Sequence, residues 1–320
     1  MRSSMFNFAN PFKLRDRGVM GMNRRNFSYI SRYNDRALYP NVDDKLKTKH
    51  LALEHGIAVP DLLGVIRQQH EVNHVFDILD KHNGFCIKPA KGSGGKGILV
   101  ILKTDENGYM KASGDYVTRD EVIRHVSNIL AGLFSLGGAA DVAVIEALIE
   151  FDPVFKGLSH EGVPDIRLIV FQGYPMMAML RLATHASDGK ANLHQGAVGV
   201  GINVATGKAK RAVQYDKPIL THPDTQMTFA DIQIHNWDSL LHLAAGCFEM
   251  SGLGYLGADI VLDKQKGPMV LELNARPGLA IQIANGMGML PRLRQLETLD
   301  HKRRKSIAER VDYAKSHFND

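Results

Sequence analysis

The sequence predicts an α+β fold in which antiparallel hairpins are separated by helices. Three stretches predict it. The first is "KPAKGSGGKG", Lys88 to Gly97: apolar Phe85-Cys86-Ile87 precedes it and the unbroken β-favouring run Ile98–Leu102 follows. That order is strand, glycine-rich loop, strand. The second, "DIRLIVFQGYPMMAMLRLAT", places two β-favouring runs around a turn at Gly173-Tyr174-Pro175. The third, "LGADIVLDKQKGPMVLELNARPG", repeats the device. Chains that return on themselves in this way do not build the regular strand–helix alternation of a doubly wound sheet. The glycine loop also fails the context tests of two other phosphate cradles. A Walker loop needs Ser or Thr after its Lys, but Lys96 is followed by Gly97. The spacing Gly92-x-Gly94-x-x-Gly97 fits a dinucleotide fingerprint, which must open a helix and here opens a strand.

The remaining elements follow in chain order. Residues 1–40 are basic and weakly periodic, and Tyr39-Pro40-Asn41 marks a boundary. Asp43 or Asp44 caps a helix over "DKLKTKHLALEHG", with Leu46, Leu51 and Leu53 as its apolar positions and Gly56 as its stop. "IAVPDLLGVI" reads as a short strand or loop, and "QQHEVNHVFDILDKHNG" as an amphipathic helix. "TRDEVIRHVSNILAGLFSLGG" is a helix capped by Thr118 or Asp120, and "DVAVIEALIE" a strand. "LHQGAVGVGINVATGKA" is strand-like, with its turn at Ala205-Thr206-Gly207; "WDSLLHLAAGCFEMSG" is a helix closed by Gly252.

The 320 residues suffice for one large domain or two to three subdomains with their own cores. Hydrophobic content of 44% with 23% charged residues suits a soluble globular protein. The two cysteines, Cys86 and Cys247, lie far apart in apolar surroundings. They argue against a disulfide framework or a Cys-based zinc site and for a reducing, cytoplasmic setting. The first residues lack the apolar stretch of a signal peptide, and no segment of membrane-spanning length is free of charge. The net charge of +5 is uneven: residues 1–40 hold eight Lys/Arg against two Asp, and "RLRQLETLDHKRRK" forms a second basic run. Such runs are solvated surfaces, or docking faces for an acidic partner, a membrane surface or nucleic acid. The lack of interleaved aromatic residues argues against nucleic acid.

The last hairpin carries the most chemistry. A four-residue loop, Lys264 to Gly267, sets Asp263 opposite Pro268 and therefore Asp259 opposite Glu272. Glu272 and Asn274 share a face, while Ile260, Leu262, Leu271 and Leu273 take the other. Two carboxylates and an amide oxygen thus converge, and a cation would relieve their repulsion. All-oxygen ligation suits Mg²⁺ or Mn²⁺, shared with substrate phosphates.

These residues together resemble the ATP-grasp carboxylate–amine ligases of RimK type, most nearly the alpha-L-glutamate ligase-like proteins. The resemblance spans about Val42 to Leu296 and rests on "DDKLKTKHLALEHGIAVP", "IKPAKGSGGKG", "DIRLIV…AMLRLAT", "NLHQGA" and "GADIVLD…VLELNARPG", in that order. It implies two α+β subdomains that clasp ATP, at about 41–150 and 151–297, between a basic arm (1–40) and a basic C-terminal helix or tail (298–320). It implies ATP with two Mg²⁺ or Mn²⁺ ions, and an amide bond made through an acyl phosphate. The partners are then an amino acid or other carboxylate and an amine acceptor. Lys45 and Lys88 match its nucleotide-binding lysines. Gly92, Ser93, Gly94, Gly95, Lys96 and Gly97 match its loop over the β- and γ-phosphates. Glu146, Ala147 and Leu148 match its adenine hinge, and Asp165 and Asn192 its further nucleotide contacts. Arg167 and Arg181 match basic residues near the transferred phosphate, and Arg276 either holds the substrate carboxylate or braces its loop. Asp259, Glu272 and Asn274 match its metal ligands.

The family carries nearly a hundred residues before the "DDK" helix, whereas about forty precede it here. Nucleotide and metal assignments therefore transfer better than substrate assignments. Two other classes are a non-catalytic ATP-binding module on the same fold and a nucleic-acid-binding protein using its basic ends.

Overall fold

The computed structural model describes residues 10–92, 94–159, 162–300 and 305–319. Ser93 of the glycine loop, the first nine residues of the basic arm, and 301–304 and 320 of the basic tail lie outside the described residues. The strands run in chain order as β1 (Leu62–Ile66), β2 (Phe85–Pro89), β3 (Leu99–Ile101), β4 (Lys103–Asp105), β5 (Gly108–Met110), β6 (Tyr116–Val117) and β7 (Ala143–Ala147), and then β8 (Asp165–Phe171), β9 (Tyr174–Leu182), β10 (Val198–Ile202), β11 (Ala209–Gln214), β12 (Lys217–Ile219), β13 (Tyr255–Asp263) and β14 (Gly267–Asn274). They form a four-stranded sheet β1-β7-β2-β3, a three-stranded sheet β4-β5-β6, and a seven-stranded sheet β12-β11-β10-β9-β8-β13-β14. Every pairing among them is antiparallel.

Each of the two larger sheets has its own core. The Arg119–Leu130 helix lays Val122, Val126 and Ile129, at helical spacing, on Phe85, Ile87, Ile101 and Ile145 of the four-stranded sheet. Thr118 starts it with a capping box: its hydroxyl accepts from the Glu121 N–H, and the Glu121 carboxylate accepts from the Thr118 N–H at 2.8 Å. The Trp237–Ser251 helix packs Leu240, Leu241, Ala244 and Ala245 on the seven-stranded sheet and ends at Gly252 with φ 73°. The Lys45–Glu54 helix, capped by the Asp44 carboxylate, lies between the two parts.

Several expectations shift. The turn between β8 and β9 sits at Gln172-Gly173, both at positive φ, so Tyr174 and Pro175 already belong to the strand. The helix expected over residues 68–84 splits into a 3₁₀ stretch, Gln69–His74, and one short α-helix, Val75–Leu79. The segment from Leu193 to Gln195 is a 3₁₀ turn, not strand.

Described residues of the basic arm are not an irregular appendage. An uninterrupted helix runs from Met22 to Tyr33 with a π-helical middle, Arg25–Ile30. Tyr29 and Ile30 join Met20 in the large core. The Asn34 side chain donates to the carbonyls of Tyr255 and Ala275 and accepts from the Tyr255 N–H. Asn34 and Tyr29, whose ring packs on Tyr255, therefore tie the segment to β13. At the other end, a Ser306 capping box starts the Ile307–His317 helix, which buries Val311 and Ala314. Among the described residues, no helix is long and apolar enough to cross a membrane.

Candidate active site

The four-stranded and seven-stranded sheets face each other across a narrow cleft. Lys45, Lys49, Lys88 and Glu146 line it from one side and Leu271, Glu272 and Leu273 from the other. A second cavity continues it under the glycine loop, between Lys45, Lys88, Gly92, Gly94, Gly95, Lys96 and Glu272. The two enclose about 10 and 20 Å³, each room for about one water. Binding a nucleotide there requires the two sheets to part.

The glycine loop joins β2 to β3 as a hairpin, with Ile87 paired to Leu99. Gly94 and Gly95 adopt φ of 64° and 75° with nothing within 4 Å of where a Cβ would stand, so their backbone is bare. Gly97, at φ 74°, instead rests on the Phe134 ring, 2.5 Å from that Cβ position. The loop is held at its roots. Lys45 Nζ donates to the Gly92 carbonyl at 2.6 Å, His125 Nε2 lies 3.0 Å from the Gly97 carbonyl, and the Asp141 carboxylate accepts from the Lys91 N–H and from the Ser135 hydroxyl.

Beneath the loop, the Glu146 carboxylate bridges two buried lysines, Lys49 at 2.7 Å and Lys88 at 2.5 Å. Burial pushes the Glu146 carboxyl up, but the two ammoniums outweigh it and hold it below the usual carboxylate range. The lysines respond in opposite directions. Burial pulls Lys49 down despite Glu146, whereas for Lys88 the attraction of Glu146, with Glu272 beyond it, overcomes burial and the ammonium is held up. Lys49 was missed in the sequence. Its signal was the i, i+4 spacing from Lys45, which puts both on one face of the helix. Glu146 was expected at an adenine hinge; its side chain instead serves the lysines. The Ala147 N–H of that hinge already donates to the Asp61 carbonyl, and Leu148 follows just beyond the end of β7.

On the large sheet, Asp259 does pair with Glu272, and Gly257 with Asn274. The route differs from the one expected. The hairpin closes with Asp263 opposite Gly267, one residue tighter, and an irregularity between Asp259 and Ile260 restores the register at the site. The extra residue, Leu271, turns into the cleft instead of the core. Asp259 is not a free ligand. Arg167 grips it with both arms of its fork, Nε to Oδ1 at 2.7 Å and Nη2 to Oδ2 at 2.6 Å, and Arg181 Nη2 adds a bond at 2.7 Å. Arg181 also forks onto Asp165 at 2.5 and 2.7 Å. Two arginines and two aspartates thus neutralise each other in a buried row across β9, β8 and β13. Burial pushes the Asp259 carboxyl up, but Arg167 and Arg181 outweigh it and bring it down to about 2. Burial prevails at Asp165, with the Asp259 charge adding to it, and the carboxyl is pushed up to about 6. Asp165, expected at a nucleotide, is therefore the counter-ion of Arg181.

Among the described residues, no three His, Cys, Asp or Glu side chains are grouped to hold a metal ion. Donor chemistry still fits a hard cation beside Asp259. The half-buried Glu272 carboxylate has no hydrogen bond among the described residues, and the Asn274 amide donates its N–H to Asp259 at 3.4 Å, leaving its oxygen for a cation. Asp259 itself would have to release an arginine. Two other expected residues lie apart from this cluster. Arg276 is half-exposed, clasps Asp43 at 2.9 and 3.0 Å and covers the Tyr39 ring, so it braces its loop. Asn192 caps the short 3₁₀ turn by accepting from the His194 N–H.

Among curated proteins, a probable alpha-L-glutamate ligase of Aeromonas salmonicida is 24% identical over 83% of this chain and 67% of its own length. One of the same description from Maridesulfovibrio salexigens is 24% identical over 80% and 63%. The chain thus spans about two thirds of the length of these relatives. Among solved structures, the D-alanine–D-alanine ligase from Coxiella burnetii covers 87% of this chain and 59% of its own, with 13% identity and a TM-score of 0.47. The ATP-grasp ligase PsnB complexed with minimal precursor, Mg and ADP covers 88% and 62%, with 15% identity and a TM-score of 0.46. The family profile matches residues 24–298. On that match, which takes in the glycine loop, the lysine–glutamate bridge and the Asp259 hairpin, the chain belongs to the sugar-transfer associated ATP-grasp family.

Proposed function

We propose that this chain is an ATP-dependent carboxylate–amine ligase, forming an amide bond with release of ADP and phosphate. One observation carries the reading. Lysines and bare loop backbone on one side of the cleft face the Glu272 carboxylate on the other, and Glu272 is paired across the strands with Asp259, to which Asn274, Arg167 and Arg181 are bonded. Lys45, Lys88 and Lys96, with the open backbone at Gly94 and Gly95, suit a polyphosphate. Glu272, Asn274 and Asp259 would hold Mg²⁺, which when bound neutralises phosphate charge. Arg181 and Arg167 present buried guanidinium groups to a developing acyl phosphate. Such chemistry needs charge neutralisation and alignment more than a nucleophilic side chain. As the sheets part, Lys88 would exchange Glu146 for phosphate, and Glu146 would keep Lys49.

The names of the curated relatives support glutamate as the carboxylate donor. The family's description ties it to sugar transfer, so amines carried on sugars belong in the assay beside peptides and protein termini. The test is phosphate release with ATP and Mg²⁺ against pooled carboxylates and amines, with condensation products read by mass spectrometry. The reading expects release only when both substrates are present. Release with neither substrate would make the chain an ATP hydrolase and overturn the ligase reading, and ATP binding without any turnover across the pool favours a regulatory ATP-binding module.

A further inference from the structure

The helix from Met22 to Tyr33 is fixed on one side and bare on the other. Its inner side is clamped: Tyr29 and Tyr33 pack on Phe171, and Arg25 donates to the Pro277 carbonyl at 2.9 Å. Its outer side carries Phe27, 83% exposed, and Met22, 64% exposed. Just before it, Phe12 is 71% exposed. Large apolar groups left this bare on a rigid element, close together in sequence, are unusual for a face meant only for water. Charge accompanies them. Residues 10–36 contain seven Lys/Arg against Asp16 and Asp35, a surplus equal to the +5 of the whole chain. Lys13, Arg15, Arg17 and Arg24 have no ion-pair partner among the described residues. The sequence before Asn10 continues in kind, with Arg2, Met5, Phe6 and Phe8 and no acidic residue, so in this segment aromatic residues do interleave with basic ones, contrary to the expectation above.

We propose that this face docks the protein on an anionic lipid surface. Exposed aromatic and methionine side chains would enter the headgroup boundary, while the arginine and lysine stems lie along it and keep their charges at the phosphates. Each basic residue adds attraction that fades within a Debye length. Charge complementarity selects an anionic bilayer over a neutral one, and the exposed apolar side chains select a lipid over a soluble polyanion. The helix also touches the loop that follows Asn274. This inference stands independently of the ligase reading.

The experiment is co-sedimentation of the full chain with vesicles of phosphatidylcholine alone or mixed with phosphatidylglycerol, at low and high ionic strength. The expected result is binding to the mixed vesicles, weakened by salt, and little to the neutral ones. Phe27→Asp and Arg24→Glu should each lower the partition coefficient at least about tenfold. Both side chains are exposed, so the melting curves should match the unaltered protein, which excludes unfolding as the cause. No sedimentation with anionic vesicles at low salt, equal binding to both vesicle types, or unaltered binding by Phe27→Asp overturns the proposal. So does binding to soluble polyglutamate that Arg24→Glu abolishes and Phe27→Asp leaves intact, which would assign the face to an acidic protein.

Discussion

Replacing Glu146 by Gln removes one charge and almost no volume, and its cost can be worked from the structure. Glu146 is the partner of Lys49 at 2.7 Å and of Lys88 at 2.5 Å, and all three side chains are buried. Breaking a buried pair from one side leaves an uncompensated charge and costs roughly 3–5 kcal/mol. Here two ammoniums lose the same partner, and Glu272 stands only beyond Lys88. The amide oxygen can still accept one hydrogen bond, so the figure belongs at that range and not at twice it. For a chain of 320 residues it corresponds to a fall in melting temperature of roughly 4–7 °C. The pH dependence has a definite sign. Burial already pulls Lys49 down, and without Glu146 it should fall further. A lysine whose folded pKa lies below its unfolded value binds fewer protons folded than unfolded, so stability rises with pH up to the unfolded value. The variant should therefore regain stability on the alkaline side faster than the unaltered protein does. Tripolyphosphate, supplying negative charge to the same lysines, should stabilise the variant more than the unaltered protein. Differential scanning calorimetry across pH, with and without tripolyphosphate, measures all three effects. A melting temperature within about 2 °C of the unaltered protein, flat with pH, would show that Glu146 does not hold the two lysines.

Other substitutions separate chemistry from architecture. Glu272→Gln should abolish Mg²⁺-dependent turnover and change stability by no more than about 0.5 kcal/mol, because that carboxylate has no hydrogen bond to lose among the described residues. Asp259→Asn should instead lower the melting temperature clearly, since it uncovers Arg167 and Arg181; equal melting of the two variants would count against the ion-pair row. Gly97→Ala should cost more than Gly94→Ala in both stability and ATP affinity: both strain a positive φ, but only the first drives a methyl into Phe134. Deleting residues 1–30 removes Met20, Tyr29 and Ile30 from the core and should cost more than about 5 kcal/mol, leaving an unfolded or insoluble chain; a well-folded product would show that the segment is dispensable.

The sequence reached the hairpins because glycine turns and β-favouring runs are local signals. The glycine loop between strands and the capped helices at Asp44 and Thr118 follow from a few adjacent residues, whereas the Asp259–Glu272 pairing is reached through a one-residue irregularity that the hairpin's sequence does not show. What it missed depends on distance. Polar composition made the N-terminal segment look free, because Asn34 shows its role only when Tyr255 and Ala275 stand beside it. Arg181 and Asp165 are sixteen residues apart in sequence and directly opposed across β8 and β9, so each was assigned separately to a ligand and neither to the other. Lys49 shows its role only where Glu146 and Lys88 close over it.

We propose that one cleft between the two sheets binds ATP with Mg²⁺. It is tested most directly by thermal melting of the full chain across millimolar ATP, with and without Mg²⁺, beside Lys88→Ala. Ligand linkage predicts a melting temperature that climbs with ATP concentration, climbs further with Mg²⁺, and loses most of both responses in Lys88→Ala. A flat curve across that range, or a response that Lys88→Ala leaves unchanged, would contradict it.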